Sequence, residues 1–120
     1  DLLMAGAGMA AVLGHVFPVW LRFKGGKGVA TTLGIMMAIN PLAGILACGA
    51  WLLMAYFFRY SSLSALTALA MSPALATLGG ESEIIMIAFA MMAALVFYTH
   101  RANIGRLRRG EEPKIGKKKE

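Results

Sequence analysis

Apolar residues fill most of the chain in long runs, without the alternation of a half-buried strand. Between Thr31 and Tyr98, the acidic and basic side chains are Arg59, Glu81 and Glu83. A helix that spans a membrane needs about 20 predominantly apolar residues, with a range of about 17–25. The pattern therefore predicts an all-α fold, a polytopic integral membrane bundle of helices.

Breaks in the apolar runs set the predicted helix boundaries. The run from Val29 to Phe58 is too long for one span, and Asn40-Pro41 divides it. Proline removes a backbone N–H donor and disfavours helix at the residue before it. We predict spans at about 2–21, 29–39, 42–58, 63–78 and 84–99.

The distribution of charge predicts the orientation of these helices. Charged residues make up 15% of the chain, against about 25% in an average soluble domain. Basic residues occur in the loop with Lys24 and Lys27, at Arg59 and in the tail 101–120, whereas residues 79–83, GGESE, are acidic. Because basic residues of short loops favour the cytoplasmic side, we place the Gly-Lys loop, Arg59 and the tail there. The acidic turn then lies on the opposite face.

Small residues spaced by four also recur in the apolar runs. They occur at Ala10 and Gly14, and again at Ala30 and Gly34. Because such pairs let helix backbones approach closely, they predict tight helix–helix contacts at these positions.

The stretch FKGGKGVAT, residues 23–31, interrupts the apolar pattern just before a predicted short helix. Unpaired N–H groups and the helix dipole favour an anion at a helix N-terminus, and glycines let the backbone approach it closely. The spacing matches neither the P-loop nor the dinucleotide-binding glycine pattern. We favour phosphate binding over a loop that only fixes orientation. The candidate phosphate-binding residues are Lys24, Gly25, Gly26, Lys27, Gly28 and Thr31.

A second polar cluster, THRANIGRLRRGEEP, occupies residues 99–113. If the last helix continues, His100, Asn103 and Leu107 share one face. Histidine can hold or move a proton near neutral pH, and asparagine can donate to a phosphate or carbonyl oxygen. The alternative is that both side chains only cap the helix at the membrane surface. We also expect Glu111 and Glu112 to pair with arginines of this cluster.

Two other groups are predicted to support these clusters. His15 lies just before the Gly-Lys loop, where it can orient the loop through a hydrogen bond. Ser61 and Ser62 begin a span on the same face and are expected to line the pocket. Two histidines and one cysteine do not make a metal site, so no metal is predicted. For the basic tail we favour anionic membrane lipids over nucleic acid.

Two motifs, GHVFPVWLRFKGGKGVATTLG at 14–34 and THRANIGRLRRGEEPKI at 99–115, together closely resemble the bacterial acyl-phosphate:glycerol-3-phosphate acyltransferases. These are integral membrane enzymes that make lysophosphatidic acid for phospholipid biosynthesis. The resemblance implies transfer of a fatty acyl group from acyl phosphate to the 1-hydroxyl of glycerol 3-phosphate, without a cofactor. It also implies an active site at the cytoplasmic face of the bacterial inner membrane.

The resemblance assigns roles to individual residues. Lys27 matches the lysine that contacts phosphate, with Lys24 as the second choice. His100 and Asn103 match the essential histidine and asparagine of the last motif, and Glu112 matches its structural glutamate. His15 matches the histidine that heads the loop motif.

The family pattern also includes an N-terminal motif with a serine and an arginine, which this sequence does not contain. The chain starts at Asp1 in an apolar run, and we interpret it as the C-terminal part of such an enzyme. The alternative function is a transporter or channel segment for anionic solutes. A transporter needs polar groups near the middle of the membrane, whereas polarity here is concentrated on one face.

Overall fold

A computed structural model describes residues 2–16 and 28–116, with the side chain of His15 outside the description. Within these ranges the chain is helical and has no strand, which confirms the all-α prediction. The described part contains six helices: α1 (Leu2–Val16), α2 (Val29–Ile39), α3 (Pro41–Phe58), α4 (Ser61–Leu78), α5 (Glu83–Thr99) and α6 (Arg101–Arg109).

Helices α3 and α4 are each long and apolar enough to cross a membrane. Each has 18 residues, which corresponds to about 27 Å, close to the thickness of a bilayer core. Helices α5 and α6 would together form a third span, but they meet at 62°. Helix α1 covers the first part of the span predicted at 2–21, and the rest of that prediction lies outside the described residues.

Local capping explains where the helices begin. The side chain of Asn40 accepts a hydrogen bond from the Ala43 N–H at 3.0 Å, and Pro41 occupies the first position of α3, where its missing N–H costs nothing. Helix α4 begins at Ser61, two residues before the predicted start. Helix α5 begins after Ser82, whose hydroxyl caps the helix.

Contacts between helix ends show which turns lie together at each end of the bundle. Asn40 Nδ2 donates to the Gly79 carbonyl at 3.0 Å and to Glu81 Oε1 at 2.9 Å, so the α2–α3 break lies beside the acidic turn. At the other end, Arg59 Nη2 donates to the carbonyl of Ile115 in the tail at 3.0 Å. Arg59 and the part of the tail around Ile115 therefore lie together, away from the acidic turn.

Close contacts between helices occur at Gly8 and Gly44. A Cβ built on Gly8 would lie 2.9 Å from Met92 Cε, which shows how tightly α1 packs on α5. Within the described residues, Gly14 and Gly34 do not show the predicted close contacts, because a Cβ at either glycine meets no atom there within 4 Å. A spacing of four between small residues does not show whether they face a neighbouring helix.

Substitution of Gly44 by alanine is expected to destabilise the bundle. The added Cβ would lie 2.5 Å from Met37 Cα and 2.7 Å from its nitrogen, so the backbones of α2 and α3 would have to separate. Overpacking of this kind costs about 1–3 kcal/mol. Gly49→Ala is the matched control, because a Cβ there meets nothing within 4 Å. Thermal unfolding in detergent should show a lower Tm for the first variant only, and equal Tm values would contradict the packing.

Candidate active site

The carboxylate of Glu112 joins three segments at the end of the bundle that holds Arg59. Its Oε2 accepts hydrogen bonds from the Ser62 hydroxyl at 2.5 Å and from Asn103 Nδ2 at 2.9 Å. Its Oε1 accepts from Arg106 Nε at 2.7 Å. The residue is 9% exposed. The predicted pairing of Glu112 with an arginine of the cluster is therefore present, with Arg106 as the partner.

These contacts keep Glu112 ionised. Burial raises its pKa, but the hydrogen bonds from Ser62, Arg106 and Asn103 and the charge of Arg106 lower it, and together they outweigh burial. The pKa of Glu112 is therefore lowered from its ordinary value. A carboxylate with three donors and a low pKa serves as a support for its neighbours and is poorly suited to accept a proton.

His100 lies at the bend between α5 and α6 and is 4% exposed. Its Nδ1 lies 2.8 Å from the carbonyl oxygen of Val96. A carbonyl oxygen can only accept, so Nδ1 must carry the hydrogen in this contact. In the neutral imidazole, the lone pair is then on Nε2, which is the tautomer that a proton acceptor at this nitrogen requires.

A cavity of about 360 Å³ lies beside Glu112. The first turn of α4 borders it, and backbone N–H groups of a first turn have no partner within the helix. The Ser62 hydroxyl already donates to Glu112, whereas Ser61 is exposed. The cavity lining consists of Ser61, Ser62, His100, Asn103, Arg106, Glu112 and Pro113.

The end of the Gly-Lys loop is built on Gly28, whose φ of +86° favours glycine. A Cβ on Gly28 would lie 3.0 Å from Val16 Cγ2 and 3.7 Å from Val96 Cγ2. The N-terminus of α2 therefore packs against the turn of α5 whose carbonyl holds His100. The Thr32 hydroxyl bonds the Gly28 carbonyl at 2.6 Å, while Thr31 is half-buried.

Part of the predicted site falls outside the described residues. This applies to Lys24, Gly25, Gly26 and Lys27, and to the side chain of His15. Their predicted roles stay predictions. Among the described residues, no group of three or more His, Cys, Asp or Glu side chains could hold a metal ion.

The structure corrects one expectation about the last motif and adds one residue to the site. The helix does not continue past Thr99, and Leu107 lies in a separate groove, so His100 and Leu107 do not share a face. Arg106 lines the cavity, although we assigned it no site role from the sequence. Its spacing of three from Asn103 places both on one face of α6 and was the available signal.

Comparison with known proteins identifies the chain's relatives. A family model described as glycerol-3-phosphate acyltransferase matches residues 2–110. A glycerol-3-phosphate acyltransferase of Rhodospirillum rubrum is 52% identical over 99% of this chain and 56% of its own length. One of Paramagnetospirillum magneticum is 57% identical over 94% of this chain and 56% of its own length.

Solved structures show the same fold. The glycerol 3-phosphate form of PlsY (YgiH), an integral membrane glycerol 3-phosphate acyltransferase, matches with a TM-score of 0.93 and 36% identity. The match covers 97% of this chain and 58% of that one. The lysophosphatidic acid form matches with the same TM-score. The chain spans about half the length of the curated relatives that it matches, at 56% for the first two. It belongs to the glycerol-3-phosphate acyltransferase family.

Proposed function

We propose that this chain is part of an enzyme that transfers a fatty acyl group from acyl phosphate to the 1-hydroxyl of glycerol 3-phosphate. The products are lysophosphatidic acid and phosphate. The observation that carries the proposal is that Glu112 holds Asn103 and Arg106 beside a cavity that His100 also lines. Family membership and the similarity to the solved glycerol 3-phosphate and lysophosphatidic acid forms of PlsY support it.

Phosphate binding is assigned to the Gly-Lys loop and the N-terminus of α2. The helix dipole favours an anion there, and Lys27, with Lys24, supplies positive charge. At Gly28 this N-terminus packs against Val96. Val96 lies one turn before His100 in α5 and contacts its ring. The phosphate of a bound substrate would therefore lie close to the cavity.

The chemical step needs no protein nucleophile, because acyl phosphate is already an activated mixed anhydride. The 1-hydroxyl oxygen of glycerol 3-phosphate attacks the acyl carbon, and the bond between that carbon and the phosphate oxygen breaks. The phosphate leaves with the bonding electron pair. The hydroxyl proton passes to His100 Nε2, or to a phosphate oxygen of the substrate. Asn103 and Arg106 supply donors and positive charge beside the reacting groups.

We further propose that the end of the bundle with Arg59, Glu112 and the tail faces the cytoplasm of a bacterial cell, at the inner membrane. Basic residues are concentrated at this end, whereas the α4–α5 turn carries Glu81 and no basic residue. An acyl chain can then enter from the bilayer while glycerol 3-phosphate enters from water.

The structure gives little support to the transporter alternative. After Ser62, the polar side chains of α4 donate to backbone carbonyls of that helix or of its N-cap residue. Ser64 donates to the Tyr60 carbonyl at 2.6 Å, and Ser72 donates to the Leu69 carbonyl at 2.7 Å. In the described helices, the polar side chains that contact other segments therefore lie near the ends of the bundle. An enzyme of this class would need its polar groups there.

Lys27→Ala tests the proposed phosphate site. We expect release of inorganic phosphate from acyl phosphate to require glycerol 3-phosphate, and to fall about 10- to 100-fold in the variant, because a charge-assisted contact is lost. Lys114→Ala is the control, since Lys114 is a tail lysine outside the cavity lining. The assay uses the full-length protein in detergent, with acyl-CoA as the alternative donor. Absence of release with either donor would contradict the enzyme proposal and direct the work to flux assays in liposomes.

A further inference from the structure

A second, apolar groove lies on the other side of α6. Its volume is about 460 Å³, and it runs between α4, α5 and α6. Thr67 is a polar residue of the lining, and its hydroxyl is used within α4, where it donates to the Leu63 carbonyl at 2.8 Å. Apart from Thr67 and Arg108, the residues that line the groove are apolar. Residues that define it are Leu66, Ala70, Phe97, Ile104, Leu107 and Arg108.

Arg108 is the charged residue of this groove, and it differs from the other arginines of α6. Arg101 lies over the ring of Tyr98 at 4.4 Å, while Arg106 and Arg109 each pair with a glutamate. Within the described part of the chain, Arg108 makes no such contact, and it is exposed. An arginine left unengaged at the edge of a hydrocarbon-lined groove matches a ligand with an anionic head and an apolar chain.

The bend at His100 determines how the side chains of α6 are placed relative to α5. Because α6 leaves α5 at 62°, its arginines do not continue along the axis of a span. The apolar side chains of Ile104 and Leu107 contribute to the groove instead, and Arg108 lies one turn after Ile104 on the same helix face. This is the geometry of a helix at the membrane surface, with its arginine at the level of lipid headgroups.

We propose that the groove binds an anionic phospholipid of the surrounding bilayer. One acyl chain lies along Leu66, Ala70 and Phe97, and the headgroup phosphate binds the guanidinium of Arg108. Asn103 and Arg106 lie on the neighbouring face of α6 and contact Glu112. The bound lipid therefore holds α6 against α4 without entering the polar cavity. This inference does not depend on the proposed acyl transfer.

Photo-crosslinking in lipid nanodiscs tests the inference. The full-length protein is placed in phosphatidylcholine with a trace of phosphatidylglycerol that carries a diazirine in one acyl chain. Peptide mapping should find the label on residues 63–70 and 97–108. Loss of the Arg108 charge in Arg108→Gln should lower labelling about fivefold. Arg101→Gln is the matched control, because Arg101 is exposed on the same helix but contacts Tyr98, and it should label as the unmodified protein does.

Three results would overturn the inference. The first is equal labelling by a phosphatidylcholine probe, and the second is unchanged labelling of Arg108→Gln. The third is loss of the label when acyl phosphate is added, which would make the groove a substrate site. Leu107→Trp gives a second variant, since an indole filling the groove should lower labelling while the charge of Arg108 remains.

Discussion

Replacement of His100 by alanine is expected to lower kcat for the proposed acyl transfer at least 100-fold, within the range of about 10²–10⁴ for loss of a general base. The contact between Nδ1 and the Val96 carbonyl fixes the ring at the edge of the cavity and leaves the lone pair on Nε2. If Nε2 accepts the hydroxyl proton, alanine leaves the attacking oxygen without a positioned base. Turnover should therefore fall while binding of glycerol 3-phosphate changes less.

His100→Asn separates catalysis from structure. The asparagine amide can donate to the Val96 carbonyl but has no basic nitrogen. We expect His100→Asn to keep the Tm of the unmodified protein and to show the same low kcat as His100→Ala. Measurement of kcat, of KM for glycerol 3-phosphate and of Tm for both variants makes the comparison. Near-normal turnover in His100→Asn would assign the proton to a phosphate oxygen of the substrate.

The sequence predicted the helices well where the determining interactions are local. Asn40-Pro41 predicted the break between α2 and α3 because proline acts on its own residue and the one before it. The contact of Asn40 with Gly79 and Glu81 was not predictable, since it joins residues about 40 positions apart. That contact nevertheless fixes which turns share an end of the bundle.

The candidate site shows the same division between local and distant interactions. The motif gave His100, Asn103 and Glu112 as candidates, but it did not show that Ser62 and Glu112, which are 50 residues apart, share a hydrogen bond. The bend at His100 also escaped prediction, because a continuous helix satisfies the local pattern equally well. At the bend His100 is 4% exposed, and that burial is a property of the packed bundle.

Replacement of Glu112 by glutamine is expected to impair both stability and activity. Glutamine has nearly the same shape, but its amide nitrogen would face one of the donors that now point at the carboxylate. Arg106 would also lose its ionised partner, and its side chain is 36% exposed, so solvent moderates the loss. We expect a loss of about 1–3 kcal/mol in the free energy of unfolding and at least a 10-fold lower kcat. Glu111→Gln is the control, because Glu111 forms an exposed pair with Arg109 and should change stability by less than about 1 kcal/mol.

The pH dependence of stability distinguishes the charge of Glu112 from its shape. Its pKa in the folded protein is lowered below the ordinary value of 4.5. Its ionised form therefore contributes stability fully above that ordinary value, and the contribution is lost as pH falls through the lower, folded pKa. The unmodified protein should lose stability more steeply than Glu112→Gln as pH is lowered below about 4.5, so that their Tm values converge. A constant difference in Tm across this range would show that the carboxylate charge does not support the site, and that glutamine harms it through packing alone.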